Sequence, residues 1–382
     1  MVTEKVNTDR DIMSVTEETN VPVTPKNPVI FVGTYTEKEG SQSKGMYVYR
    51  MDADSGELTF EWEAAGILNP SYLAIRPGQG FLYAVNEVQT FGGQAGGGVS
   101  ALSIDRASGE LHLLNAYSSC GKDPCYISIE QTGRFALVAN YTGGNVAMLP
   151  IRPDGQLGPA TDVVQHTGSS VNPERQDNPY AHCILSDPAN RFVIATDLGA
   201  DKLLAYRMDL DQGKLHAHAE VNVQPGAGPR HVIFHPNGQY LYLINELNST
   251  LGVYHYNGDA GHLDEVQTIS TLPENHQSEN LCADLHISGN YLYASNRKHD
   301  SIAWYLIDEA TGQLTYQGEV PSGGKEPRGF AIDPSGNFLL AAHEKSNNIV
   351  VFSIDPATGR LSRTGHETTL SHPVCVKFMY LE

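Results

Sequence analysis

The sequence is short of cysteine. It has five in 382 residues, Cys120, Cys125, Cys183, Cys282 and Cys375, with no Cys-x-x-Cys pair. That scarcity excludes a disulfide-stapled scaffold and a paired-cysteine zinc site, and it reads as reduced thiols in a cytoplasmic protein. Long apolar runs are absent too: no stretch of 18 reads as a membrane span. Residues 1–27 are polar, acidic and punctuated by proline, without the apolar segment of a signal peptide. They read as a disordered acidic tail ahead of a single domain at 28–382. Positive charge is scarce, with 25 Lys and Arg against 44 Asp and Glu, a net charge of −19. Such a surface repels phosphate backbones and anionic membranes, so neither nucleic acid nor membrane is expected as a partner. A small anionic ligand fits only where arginines gather locally. There is no GxSxG elbow, no P-loop, no GxGxxG after a strand and no HExxH. No carboxylate cluster calls for a metal, and no cofactor is expected.

What is there is repetition. Glycine (37) and tyrosine (19) are plentiful, as in chains of many turns and strands. A Gly-x-Leu phrase recurs at Gly56, Gly109, Gly155, Gly213, Gly261, Gly312 and Gly359, at spacings of 53, 46, 58, 48, 51 and 47 residues. A second phrase interleaves with it: NPSYLAIRPGQGFLYAVNE, DPCYISIEQTGRFALVANY, NPYAHCILSDPANRFVIATDL, GPRHVIFHPNGQYLYLINE, ENLCADLHISGNYLYASNR and EPRGFAIDPSGNFLLAAHE. Each copy reads strand, turn, strand. A third strand and the Gly-x-Leu turn into a fourth complete the unit. Four short strands per unit of about 50 residues is a β-propeller blade. The fold class is all-β: a seven-bladed propeller of four-stranded antiparallel blades. The opening strand at 29–36 and the terminal HPVCVKFMYLE are expected to share a blade and close the ring, which removes exposed sheet edges. Two packed β-sandwiches are the alternative, and the regular spacing argues against them.

In such a blade the start of strand one and the end of strand two meet at one mouth of the channel, about 5 Å apart. The copies can then be compared with each other. Three residues after the leading proline stand Leu73, Ile127, His182, Val232, Phe330 and Val376, with Ala283 where Asn280 replaces proline. On that count a lone histidine breaks an apolar position, which marks His182 as functional; a core histidine bonded to a carbonyl is the alternative. Asn86, Asn140, Asn245 and Asn296 recur at the end of strand two and read as structural. The residues after them vary: Glu87, Tyr141, Glu246 and Arg297. At the start of strand one stand Arg230, followed by His231, and Arg328. His182, Arg230, Glu246, Arg297 and Arg328 thus form an arc on one mouth that a ligand could bridge. Plain rim ion pairs are the competing explanation. The glycine-rich FGGQAGGG (91–98) reads as a flexible loop over that mouth, and His216 and His218 as outer surface.

The phrases PYAHC, GPRH…NE, YLYASNR and EPRGFAIDPSGNFLLAA resemble the seven-bladed lactonase family, which includes bacterial propeller-type 6-phosphogluconolactonase and fungal carboxy-cis,cis-muconate cyclase. The resemblance runs from about residue 28 to the end. It implies a site of one histidine, two arginines and a glutamate, falling on His182, Arg230, Arg297 and Glu246. Arg328 and His231 are added as substrate-binding residues from the rim comparison. The implied activity is hydrolysis of a small anionic lactone, first of all 6-phospho-D-glucono-1,5-lactone, in the pentose phosphate pathway. His182 would be the base and Glu246 an orienting carboxylate or proton shuttle, with the arginines binding the anion and the oxyanion. Cyclisation of a muconate, hydrolysis of another sugar lactone and a non-catalytic binding scaffold are the alternatives. The oligomeric state is left open.

Overall fold

The computed structural model describes residues 27–381 apart from 79 and 277. The tail expected at 1–27 therefore lies outside the described residues, save its last position. The described regular structure is all strand: seven four-stranded sheets and one two-stranded ribbon. Six sheets follow chain order, as in Pro229–Phe234, Tyr240–Asn245, Thr250–Asn257 and His262–Ser270. The seventh runs Leu58–Ala65, Gly45–Met51, Val29–Thr34, Pro373–Met379. The C-terminal strand thus takes the inner place beside the N-terminal strands, the closure the sequence called for.

The two repeated phrases explain each other. All seven glycines of the Gly-x-Leu turns have positive φ, between 62° and 82°, where a side chain is strained. A Cβ on six of them would also meet an aromatic ring of the preceding blade: Gly56 on Phe338, Gly155 on Phe81, Gly213 on Phe135, Gly261 on Phe192, Gly312 on Tyr240 and Gly359 on Tyr291. Those rings open the second strand of each blade. Tyrosine hydroxyls add a second stitch, from Tyr83 to Gly155 O at 2.9 Å and from Tyr293 to Gly359 O at 2.8 Å. The sequence period is therefore the period of the blade-to-blade joint.

The recurring asparagines are structural. Asn86, Asn140 and Asn296 each donate through Nδ2 to the carbonyl of a loop ahead of the inner strand, on Leu68, Ser119 and Thr271, at 2.9, 2.9 and 2.8 Å. The glycine-rich segment differs from expectation. Thr90–Phe91 pairs with Gln94–Ala95, so it is a short hairpin and not an unstructured loop. His216 and His218 lie on the outer strand Lys214–Asn222, exposed.

Candidate active site

The mouth is built by one irregularity repeated around the ring. In six sheets the inner-strand pairing shifts register at the mouth end, as between Pro124 and Tyr126, Ala181 and Cys183, Pro229 and His231, and Pro327 and Gly329. A bulge leaves one residue unpaired and re-aims its side chain. Those residues include Cys125, His182, Arg230 and Arg328.

This corrects the basis on which His182 was chosen. Ala181 pairs with Asp197 as Pro229 pairs with Asn245. In blade three the pairing residue comes two positions after the proline instead of being the proline itself, so counting from proline slides the copy out of register. By the ladder, His182 is the counterpart of Arg230 and Cys125, and Ile184 fills the apolar position. His182 is a rim residue like its sisters, not an intruder in the core.

The second ring of mouth positions, after the end of strand two, supplies Glu87, Tyr141, Glu246 and Arg297. Glu246 is the focus. Its backbone is held by Glu246 N donating to Gly228 O at 2.7 Å and Cys282 N donating to Glu246 O at 3.1 Å. Its carboxylate meets three guanidiniums: it accepts from Arg175 Nη2 at Oε1, 2.6 Å, and from Arg230 Nε at Oε2, 3.0 Å, and Arg297 Nη2 forms an ion pair 2.8 Å from Oε2. His182 Nε2 lies 3.9 Å from the same Oε2, and His182 Nδ1 lies 3.6 Å from Cys125 Sγ. A cavity of about 180 Å³ opens here, lined by Glu87, Cys125, Tyr141, Arg175, His182, Glu246, Leu281, Arg297 and Arg328.

The charges set the protonation states. Burial alone would raise the Glu246 carboxyl; Arg297 and Arg230, then His182 and Arg175, outweigh it and hold it well below the usual carboxylate range. Burial, then Arg230 and His231, press His182 well below its usual 6.5 against the pull of Glu246. The site at neutral pH is thus a neutral imidazole beside a locked carboxylate. Glu87 is pushed up by burial against Arg328, and it accepts from Tyr35 Oη at 3.0 Å and from Ser71 Oγ.

The candidate residues do not all reach the cavity. His182, Glu246, Arg297 and Arg328 line it. Arg230 stands behind Glu246, and its Nη1 also donates to Ala283 O. It braces the carboxylate from beneath. His231, expected to bind substrate, sits one layer deeper. Its Nδ1 donates to Asp284 Oδ1 at 2.9 Å, and its ring packs edge-on to Tyr72 and Tyr126 at 5.6 and 5.1 Å. The reason is the bulge: Arg230 is the extra residue, and His231 resumes the ladder opposite Ile244 and points into the plugged channel. Burial and Arg230 bring its pKa down to about 3. Arg328 faces the cavity; among the described residues its ion-pair partner is a loose one, Glu344 at 3.7 Å, and it lies over the Tyr35 ring.

Arg175 was not found from the sequence. It comes from the segment between Asp162–Gln165 and Ala181–Ser186, where the Gly-x-Leu spacing is the longest of the chain at 58. That spacing was the available signal.

A profile described as lactonase, 7-bladed beta-propeller, matches residues 29–378. The 6-phosphogluconolactonase of Bacillus subtilis is 37% identical over 92% of this chain and 98% of its own length. The 6-phosphogluconolactonase of Formosa agariphila is 35% identical over 80% and 86%. The solved periplasmic gluconolactonase of Pseudomonas aeruginosa superposes with a TM-score of 0.88 at 34% identity, covering 93% of this chain and 99% of that one. The blades, the mouth and the likenesses agree, and the chain belongs to the seven-bladed β-propeller lactonase family.

Proposed function

We propose that this chain hydrolyses a sugar lactone, with 6-phospho-D-glucono-1,5-lactone as substrate and 6-phosphogluconate as product. The observation that carries the chemistry is a neutral histidine 3.9 Å from a carboxylate that three arginines keep ionised. Glu246 is too weak a base to deprotonate water, because its proton affinity is suppressed by the arginines. His182 is the base. It takes a proton from water as oxygen adds to the lactone carbonyl, and Glu246 steadies the imidazolium that forms. Arg297 lines the cavity, and its guanidinium supplies a donor for the developing oxyanion. Collapse of the tetrahedral intermediate breaks the ring ester bond, and the leaving alkoxide recovers the proton from His182. The new carboxylic acid loses its own proton to solvent.

An anionic substrate also answers the low basicity of His182. Arg230 and Arg328 both depress it, and a bound phosphate offsets their charge. The names of the relatives support the phosphorylated lactone as first choice. A cytoplasmic setting and a place in the pentose phosphate pathway belong to the same proposal; five free thiols suit a reducing compartment.

The test is initial-rate hydrolysis of freshly made 6-phosphogluconolactone against its spontaneous rate, across pH. The enzyme is expected to accelerate its loss. No break is expected at the ordinary histidine value of 6.5; kcat/KM falls only further into acid, where free-enzyme His182 takes up a proton. The substrate phosphate itself titrates near about pH 6, so the profile is repeated with unphosphorylated glucono-1,5-lactone. No acceleration by folded protein would refute the substrate, and a break at 6.5 in both profiles would refute the depressed base.

A further inference from the structure

Three arginines meet Glu246, and they are not equivalent. Arg230 is sealed behind the carboxylate. Arg297 is buried, and its Nη2 is shared between Glu246 and Cys282 O. Arg175 has 35% of its side chain exposed and lies in the cavity wall. Both of its side-chain hydrogen bonds come from one nitrogen: Nη2 donates to Glu246 Oε1 at 2.6 Å and to Tyr141 Oη at 3.2 Å. Its Nε and Nη1 have no partner among the described residues. A guanidinium carries five N–H donors, so about three of them are free at the mouth.

The segment that carries Arg175 is anchored on both sides. Ahead of it, His166 Nδ1 donates to Asp197 Oδ2 at 2.7 Å, and His166 Nε2 accepts from Tyr206 Oη at 3.0 Å. Beside it, the fully buried Gln176 donates through Nε2 to Leu198 O at 2.9 Å. Tyr180 N then donates to Asp197 Oδ1 at 2.9 Å. Asp197 stands where four other blades have asparagine, and it holds this segment at both ends. The arrangement is costly to build for a rim ion pair alone. It fits a donor that must be aimed.

We infer that Arg175 is the specificity-determining residue for the substrate's phosphoryl group: one edge of its guanidinium is oriented by Glu246 and Tyr141, and the other binds the dianion. This rests on the lactonase reading above. Planar, forked donors match phosphate oxygens in a way a lysine cannot.

The test compares wild type with Arg175→Gln and Arg175→Lys on 6-phosphogluconolactone and on glucono-1,5-lactone. Arg175→Gln is expected to lower kcat/KM for the phosphorylated lactone by about 10- to 100-fold, the range of one charge-assisted hydrogen bond. Arg175→Gln also takes one of three cations from Glu246, so the unphosphorylated lactone should lose rate as well; the loss on the phosphorylated lactone is expected to exceed it by about 10-fold, the share of the bond made only to phosphate. Arg175→Lys should recover only part of the loss. Equal losses on both lactones, or none on either, would overturn the inference. Calorimetry with 6-phosphogluconate and gluconate gives a reading independent of turnover. Arg175→Gln should weaken the first and spare the second; equal affinity of wild type and variant for 6-phosphogluconate would overturn it even if neither lactone were a substrate. Failure of wild type to hydrolyse either lactone would count against the proposed function instead.

Discussion

Glu246→Ala is expected to cost about 3–5 kcal/mol of folding stability, because it strands buried charges that now neutralise one another. Arg230 and Arg297 are 2% and 5% exposed and cannot turn to solvent. Arg175 can, so its share of the cost is small. Denaturant unfolding of wild type, Glu246→Ala and Glu246→Gln measures this. Glutamine keeps the volume and one acceptor, and should fall between the other two. The pH dependence has a definite sign. The folded carboxyl titrates well below its usual 4.5. Its contribution is therefore complete above that value and is lost as pH falls through the folded pKa. That acid limb should be absent from Glu246→Gln. Hydrolysis should drop with stability to spare, since Arg175 and Arg297 lose the acceptor that orients them. Unchanged stability in Glu246→Ala would show that the three guanidiniums do not depend on the carboxylate.

Deleting residues 372–382 is expected to abolish cooperative folding. The strand Pro373–Met379 is the inner strand of the closing blade, with Val374, Cys375 and Val376 all buried. It pairs along Val29–Thr34, from Val29 opposite Met379 to Thr34 opposite Pro373. Without it that strand becomes an open edge facing the channel, ready to pair with another chain. Near-ultraviolet circular dichroism and limited proteolysis should show a loose, protease-sensitive, aggregating protein. A milder Val376→Asp, which buries a charge in the same wall, should destabilise the ring without removing the strand. A truncated protein with a single sharp unfolding transition would show that the other six blades hold the ring unaided.

Much of this was legible because a propeller repeats its joints. Gly-x-Leu recurs since each glycine turns at positive φ, six of the seven under a neighbouring ring, and so seven copies could be counted without any structure. The mouth positions were legible for the same reason: Glu246 and Arg297 follow the same asparagine. Register was not. A bulge is defined by which backbone groups pair, and Pro179 gives no hint that Ala181, not the proline, makes the terminal pair. His182 was picked on a faulty count, and the ladder puts it on the rim for a different reason; His231 was placed in the site when the ladder turns it into the channel floor. Arg175 lay outside every column, on a segment that breaks the repeat. Its meeting with Glu246, 71 positions on, is a product of the ring. A sequence comparison could count arginines on the rim, but not that three of them converge on one carboxylate.

The central claim is that neutral His182 is the group that deprotonates water. The direct measurement is the rate of lactone hydrolysis by His182→Ala beside wild type, under conditions where both are shown to be folded by their unfolding transitions. The expected result is a loss of about 10²- to 10⁴-fold in kcat, the usual worth of a positioned general base, with KM little changed because the arginines remain. Hydrolysis by His182→Ala at the wild-type rate would contradict the account.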